Sequence, residues 1–397
     1  MCNSFVIGDL IIDHSIFVED ITNDRQRRGN EDTYEVLRRT DSAGGAANSA
    51  RILAALSPGQ TYLWGLVGKS HWGSFRNILE HAQAVDGSAN NIQFRGINDE
   101  TEAQMNTVTR LIAVKDTGGA DIFRFGDRFD ETGHLHVPPR KRESVLYYLR
   151  RAREKLKQEQ KGQLNVIIIN DFDMGCLTAK TVERIVNFAQ KHSIPLFVNP
   201  RYDNKKYRKI DGKAILADLK EWCRLVGVGN HERDWRNRVT QASDLEEMAY
   251  RSFRAFGNFE YYIIKCEDAG TVFIAPSPQP KGPPHYRIWK IPKWKMPTPS
   301  NTSGRQDQLG ASDVLTAVFA LEFHHLVRPE QLLHERTLMV LEALTRANAI
   351  AGCYRSMSWN RMPTPEIVEQ ALEKARKDTK YDLSGKSYIK KPLGDLR

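Results

Sequence analysis

Short apolar runs rich in β-branched residues recur along the chain at residues 5–7, 61–67, 166–169, 196–198, 261–264 and 272–274. Runs of this length, bounded by turn residues, read as buried strands. Between them, residues 46–56, 144–156, 178–192 and 314–326 carry apolar side chains at helical spacing, as in Val314, Ala317, Val318 and Leu321. The alternation predicts an α/β fold with a mostly parallel central sheet and helices on both faces, because strands buried on both sides need helical crossovers. Two stretches, about 11–41 and 93–129, break the rhythm. Alternating positions such as Thr107, Thr109, Leu111 and Ala113 read there as strands outside the main sheet, forming a small β lid. The reading is one domain over residues 1–376 and a basic tail over 377–397. The proline-rich, basic-aromatic segment 276–299 is expected to be an exposed excursion.

Composition narrows the class. In a chain of 397 residues, 40% hydrophobic and 27% charged residues are ordinary for a globular protein and exclude global disorder. The formal net charge of +9 would attract nucleic acid, anionic lipid or phosphorylated small molecules alike. Much of the excess lies in 24–39, 281–295 and beyond 374, where solvated loops and ends account for it. Segment 281–295 interleaves lysines with Tyr286, Trp289 and Trp294, as single-strand nucleic-acid surfaces do. Its prolines favour an ordered structural loop, so nucleic acid is not an expected partner. The five cysteines have no zinc spacing and read as reduced thiols. The N-terminus enters a strand without a basic region followed by an apolar stretch, and no window approaches about 20 apolar residues. A cytoplasmic location without membrane contact is the expectation. Dinucleotide and P-loop chemistry are poor fits, since Gly227-Val228-Gly229 lacks a third glycine and no Walker lysine loop occurs.

The strongest local signal is Gly310-Ala311-Ser312-Asp313 at the head of an amphipathic helix. Small residues at a helix start expose backbone N–H groups that, with the helix dipole, favour an anion. An aspartate there can take a proton from an attacking hydroxyl while the amides stabilise charge on a transferred phosphoryl group. The same residues also suit an ordinary helix cap. A second signal combines Asp9 and Asp13, after the first strand, with Gly44 and Gly45 before a small-residue helix carrying Asn48. Carboxylates and an amide can hold vicinal hydroxyls, and paired glycines allow close backbone approach. Strand-end turns and tight helix packing would use the same residues.

Taken in order, these segments resemble the ribokinase (phosphofructokinase-B) carbohydrate kinase family over roughly residues 4–374. The start Val6-Ile7-Gly8-Asp9-Leu10-Ile11-Ile12-Asp13, the loop Ala43-Gly44-Gly45-Ala46-Ala47-Asn48, and Gly65, Gly68 and Gly73 look most like the branch that phosphorylates D-glycero-D-manno-heptose 7-phosphate. Ile169-Asn170-Asp171-Phe172, Gly175, Val198-Asn199-Pro200-Arg201 and Arg346-Ala347-Asn348-Ala349-Ile350-Ala351-Gly352 follow in the order expected there. The resemblance implies a ribokinase-like fold and phosphoryl transfer from ATP with Mg²⁺ to a sugar or sugar-phosphate hydroxyl, with Asp313 as base and Gly310, Ala311 and Ser312 as the anion hole. It further implies sugar contacts at Asp9, Asp13, Gly44, Gly45, Asn48 and Arg110. Nucleotide contacts fall at Asn230, Glu232, Lys265, Gly270 and Asn348, metal-side acids at Asp307 and Glu232, and a K⁺ ion near Asp307. A homodimer through the lid also follows from the resemblance.

Departures cluster on the nucleotide side. Ser312 replaces a glycine, Asn199 an acidic residue, Arg201 a lysine and Met174 another lysine. The family's Asn-x-x-Glu, if it ends at Glu232, would begin at Gly229. A catalytically degenerate protein that binds a sugar phosphate or serves as an assembly subunit is therefore the alternative reading.

Overall fold

The computed structural model describes residues 1–19, 36–85, 92–95, 97–99, 106–116, 121–131, 142–201, 205–208, 210–228, 235, 242–256, 258–266, 270–276, 286–291, 310–356, 368–370 and 372–373. In chain order the strands are β1 (Ser4–Gly8), β2 (Leu10–Glu19), β3 (Val36–Gly45), β4 (Thr61–Trp64), β5 (Leu66–Gly68), β6 (Ile92–Phe94), β7 (Ile97–Asp99), β8 (Asn106–Asp116), β9 (Asp121–Glu131), β10 (Val166–Asp171), β11 (Leu196–Pro200), β12 (Asp211–Asp218), β13 (Asn258–Lys265), β14 (Thr271–Pro276) and β15 (Tyr286–Ile291). The helices are α1 (Ala46–Leu56), α2 (Trp72–Val85), α3 (Ser144–Gln158), α4 (Ala179–Lys191), α5 (Leu219–Leu225), α6 (Ala242–Phe256), α7 (Ala311–Leu326) and α8 (Leu333–Ser356).

Nine strands form the central sheet in the order β15-β14-β13-β12-β11-β10-β1-β4-β6. From β6 to β13 every neighbouring pair is parallel, and β14 and β15 close one end antiparallel. Side chains alternate across the sheet as the pleat requires. Phe5, Ile7, Ile167, Ile169 and Val198 join a core covered by α3, α4, α5 and α6. Val6, Ile168, Phe197, Leu216 and Ile263 face the other way, towards α1, α2, α7 and α8. Burial on both faces is why these strands read as continuous apolar runs.

Four strands, in the order β3-β2-β8-β9, form a second sheet. The first two enclose the turn into α1, and β2 runs parallel to β8. Residues 93–129 do not all lie outside the main sheet, however. Strand β6 pairs with β4 at its edge, where Ile92 is buried. The segment expected to be an exposed excursion also contributes structure. Strand β15 pairs with β14 and buries Ile288 and Ile291, so those two apolar positions outweigh the surrounding basic residues. The tail 377–397 lies outside the described residues. Among the described residues no helix is long and apolar enough to cross a membrane.

Helix α7 is anchored to the sheet by aromatics. Phe197 of β11 meets Phe319 edge-on at 5.7 Å and Phe323 at 5.3 Å between ring centroids. Such pairs add to the free energy of burial itself. Truncating Phe197 to alanine is expected to cost about 3–5 kcal/mol, because the cavity lies under a helix held from the opposite side by α8. Equilibrium urea unfolding of the variant measures it.

Candidate active site

Strand order in the main sheet reverses beside β1, because the chain moves to β4 and β6 on one side and returns as β10 on the other. Loops leaving the carboxyl ends of β1 and β10 therefore part in opposite directions, and a crevice opens between them. Polar residues end the parallel strands around it: Asn170 and Asp171 on β10, Asn199 on β11, Asp218 on β12 and Lys265 on β13. Two helices begin there as well, α1 after Gly45 and α7 after Gly310.

Asp313 lies in the first turn of α7 and is 4% exposed. Gly310, the residue before the helix, has φ +68°, and a β-carbon on it would overlap the Asn48 amide. Glycine is thus required twice over, by backbone conformation and by close approach. Asn48 Nδ2 donates to Asp313 Oδ2 at 3.4 Å, and Asn170 Nδ2 donates to Oδ1 at 2.9 Å. Ser49, one residue further along α1, donates to the Asp313 carbonyl at 3.4 Å. Burial raises the Asp313 pKa above the ordinary carboxylate value, opposed by Arg201, by the Asn170 and Asn48 amides and by Lys265.

Beside Asp313 stands a group of charges that alternate in sign. Lys265 pairs with Asp218 at 2.9 Å and also bonds the Ser312 hydroxyl. Arg201 pairs with the other Asp218 oxygen, lies 3.9 Å from Glu221 and sits over the Phe172 ring at 5.5 Å. Glu221 lies in the first turn of α5 and is 8% exposed, and among the described residues its Oε2 has no hydrogen-bond partner. Asp218 and Glu221 thus have the three-residue step that the sequence placed at Gly229 and Glu232. The crevice-side acids were missed because β12 was not read as a strand. Asn230, Glu232 and Asp307 lie outside the described residues. Among the described residues no group of three or more His, Cys, Asp or Glu could hold a metal ion.

The remaining expected residues are spread around this centre. Asp13, on β2, is buried against Gly44, where a β-carbon would overlap its carboxylate. Gly45 precedes α1, whose first amide, on Ala46, donates to the Asp9 carbonyl at 2.9 Å. Arg110 lies on β8 opposite Ser15 and Arg128. Gly270 lies in the turn between β13 and β14, where its carbonyl accepts from the Cys266 amide at 2.7 Å. Asn348 is half-buried on α8.

The Asp9 carboxylate faces another task. It accepts from the backbone amides of Phe172 at 2.7 Å, Met174 at 3.3 Å and Cys176 at 3.2 Å, and so shapes the loop after β10. Behind it, Asp171 is fully buried and bonded to Tyr207 at 2.5 Å and Lys206 at 2.9 Å. Burial works against the Lys206 ammonium, yet Asp171, Asp173 and Asp9 hold its pKa above the ordinary value. Burial first, and Asp171 second, push Asp9 up from 3.8 to about 7. The folded state therefore binds that proton more tightly than the unfolded chain, and the stability contributed by Asp9 falls as pH rises through this window. Denaturation at about pH 5 and about pH 8 is expected to show a larger loss in the parent protein than in Asp9→Asn, since the variant lacks this titration.

No family model matches the chain. It is 28% identical over 217 residues to the bifunctional protein HldE of Geobacter sulfurreducens, a match covering 54% of this chain and 38% of that protein. It is 24% identical over 278 residues to HldE of Haemophilus influenzae strain PittEE, covering 69% and 49% respectively. The chain thus spans less than half the length of the curated relatives it matches. Among solved structures, ribokinase from Giardia lamblia superposes with TM-score 0.61 at 16% identity, covering 94% of this chain and 99% of that one. Phosphofructokinase-2 from Escherichia coli, in complex with potassium, superposes with TM-score 0.62 at 12% identity over the same shares. Arabidopsis thaliana ribokinase, complexed with ribose and ATP, gives 0.58 at 15% identity, again over 94% and 99%. The reversed strand order, the crevice it opens and these superpositions assign the chain to the ribokinase-like fold.

Proposed function

We propose that the protein is a carbohydrate kinase that transfers the γ-phosphoryl group of ATP to a hydroxyl of a sugar or sugar phosphate. The observation that carries the reading is Asp313, a buried carboxylate in the first turn of a helix, at a strand-order reversal, held by amides from α1 and β10. A base in that position serves an acceptor hydroxyl, and the free N–H groups of α7 serve the anion in transfer. The motif resemblance to the heptose 7-phosphate branch suggests a heptose 7-phosphate as acceptor, reacting at its anomeric hydroxyl, and the similarity to proteins named HldE agrees with a sugar-phosphate acceptor.

Magnesium fits this donor set in a limited way. Both Asp218 oxygens already meet cations, whereas Glu221 presents a buried carboxylate oxygen without a partner among the described residues. Mg²⁺ keeps several waters and needs only one or two carboxylates beside substrate phosphates, so Glu221 would hold it here. Bound ATP–Mg²⁺ would supply the phosphoryl group and neutralise its charge. Lys265 and Ser312 would face the phosphates, and Asn48 the sugar side of Asp313. A K⁺ ion near Asp307 belongs to the same reading.

The paired charges around Asp218 favour one competing reading, a binding protein without catalysis, because Arg201 and Lys265 are already neutralised. ATP turnover over a panel of sugar phosphates separates the two. The kinase reading expects turnover with at least one acceptor and a loss of about 10²–10⁴-fold in Asp313→Asn. Absence of turnover across the panel, or an unaltered rate in the variant, sinks it. A homodimer through the second sheet belongs to the same proposal, supported by exposed Val36 and Leu37 on β3. Sedimentation is expected to show a dimer that Leu37→Asp converts to a monomer.

A further inference from the structure

Four side chains form a hydrogen-bonded line into the candidate base, with side branches from Asn170 Nδ2 to the Gly45 carbonyl at 3.2 Å and the Ser49 hydroxyl at 3.3 Å. Lys265 Nζ donates to Asn199 Oδ1 at 3.2 Å, Asn199 Nδ2 donates to Asn170 Oδ1 at 2.8 Å, and Asn170 Nδ2 donates to Asp313 Oδ1 at 2.9 Å. Both asparagines are fully buried, at 0% exposure. The direction of the line is fixed at both ends, because an ammonium only donates and an ionised carboxylate only accepts. Each amide must therefore turn its oxygen towards Lys265 and its nitrogen towards Asp313. A cation on one amide oxygen strengthens the N–H bond made by the same amide, so polarisation passes along such a chain.

The two Asp313 oxygens end up unlike. Among the described residues, Oδ1 takes the Asn170 bond and a longer contact from Asn199 at 3.4 Å, whereas Oδ2 meets only Asn48 at 3.4 Å. Charged groups reach this carboxylate from two elements, Arg201 after β11 and Lys265 on β13; Asp218 on β12 is joined to both. Uncharged donors come from α1, β10 and β11.

We propose that Asn170 and Asn199 are positioning residues that carry the polarisation of Lys265 to Oδ1 of Asp313, anchoring that oxygen and leaving Oδ2, beside Asn48, as the atom that takes the proton. The catalytic half of this inference rests on the kinase reading. As the acceptor O–H bond breaks, its proton passes to Oδ2 and the oxygen's electron pair forms the bond to the γ-phosphorus of ATP. The bond from that phosphorus to the β,γ-bridging oxygen breaks, and ADP leaves with the pair. The opposition of burial and amide donation at Asp313 is consistent with this line supplying part of the stabilisation that keeps the carboxylate ionised.

The test is a ¹³C NMR titration of the full chain labelled at the aspartate carboxyls, without ATP or sugar, with Asp313→Asn identifying the signal. Asn199→Leu removes the middle of the line and leaves every charge in place. The relay expects the Asp313 titration to move up by about one unit, and the acid limb of the kcat/KM profile to move with it. Because Asn199→Leu also removes the direct 3.4 Å contact to Oδ1, Lys265→Met is measured in both backgrounds. The relay expects it to raise the Asp313 titration less in Asn199→Leu than in the parent, whereas an equal rise means that Lys265 acts through space and overturns the relay. If Asn199→Leu does not fold, Asn199→Ser decides on the same expectation, since it adds no charge and is too short to bridge Lys265 and Asn170. An unmoved titration in whichever variant folds overturns the relay. Because the titration needs no turnover, failure of the kinase reading leaves this result interpretable.

Discussion

A charged carboxylate placed at the end of a buried parallel sheet survives there only if donors surround it, and the geometry around Asp313 is organised by that need. Leaving a buried acceptor without a partner costs about 1–3 kcal/mol, more when it is charged. Donors arrive from α1, β10 and β11. Each must stand at a strand end or in a first helical turn, and only the reversal beside β1 brings these ends together. Close packing follows from the same requirement. α1 must approach α7 tightly, which explains its run of small residues, Ala46, Ala47, Ser49 and Ala50, all fully buried.

A second polar centre lies on the other side of the crevice with a different balance. Asp9 and Asp171 sit together near Lys206, Tyr207 and the thiol of Cys176. Burial, followed by the two aspartates, raises the Cys176 thiol well above its ordinary value, leaving it a poor nucleophile. This cluster fixes the loop after β10 from beneath, whereas the Asp313 line enters the crevice from the strand ends. One sheet thus carries two separate networks, joined through β10, where Asn170 serves one and Asp171 serves the other.

The layered architecture was legible because strands buried on both faces appear as unbroken apolar runs. Strand β12 escaped notice because its first three residues, Asp211, Gly212 and Lys213, are polar or small, and its buried part contains two alanines. Pairing with β11 and β13, not local composition, makes it a strand. That omission left Asp218 and Glu221, which have the same three-residue step, unread in the sequence. In the site, Gly310, Asp313 and Asn48 announced themselves through glycines beside helix starts. Asn170 and Asn199 carry no comparable signature, since an amide at a strand end acquires its direction only from what lies at the two ends of its hydrogen-bond line.

The two borders of the main sheet are built differently, and the difference has a bearing on association. One border is β6, only three residues long and followed by exposed Arg95. The other is β15, which carries Arg287 and exposed Lys290. Short length and basic side chains both discourage an incoming strand from extending a sheet. A large sheet can thus end twice without offering a template for cross-β growth, whereas the smaller sheet leaves Val36 and Leu37 exposed on β3, at the face proposed for a homodimer.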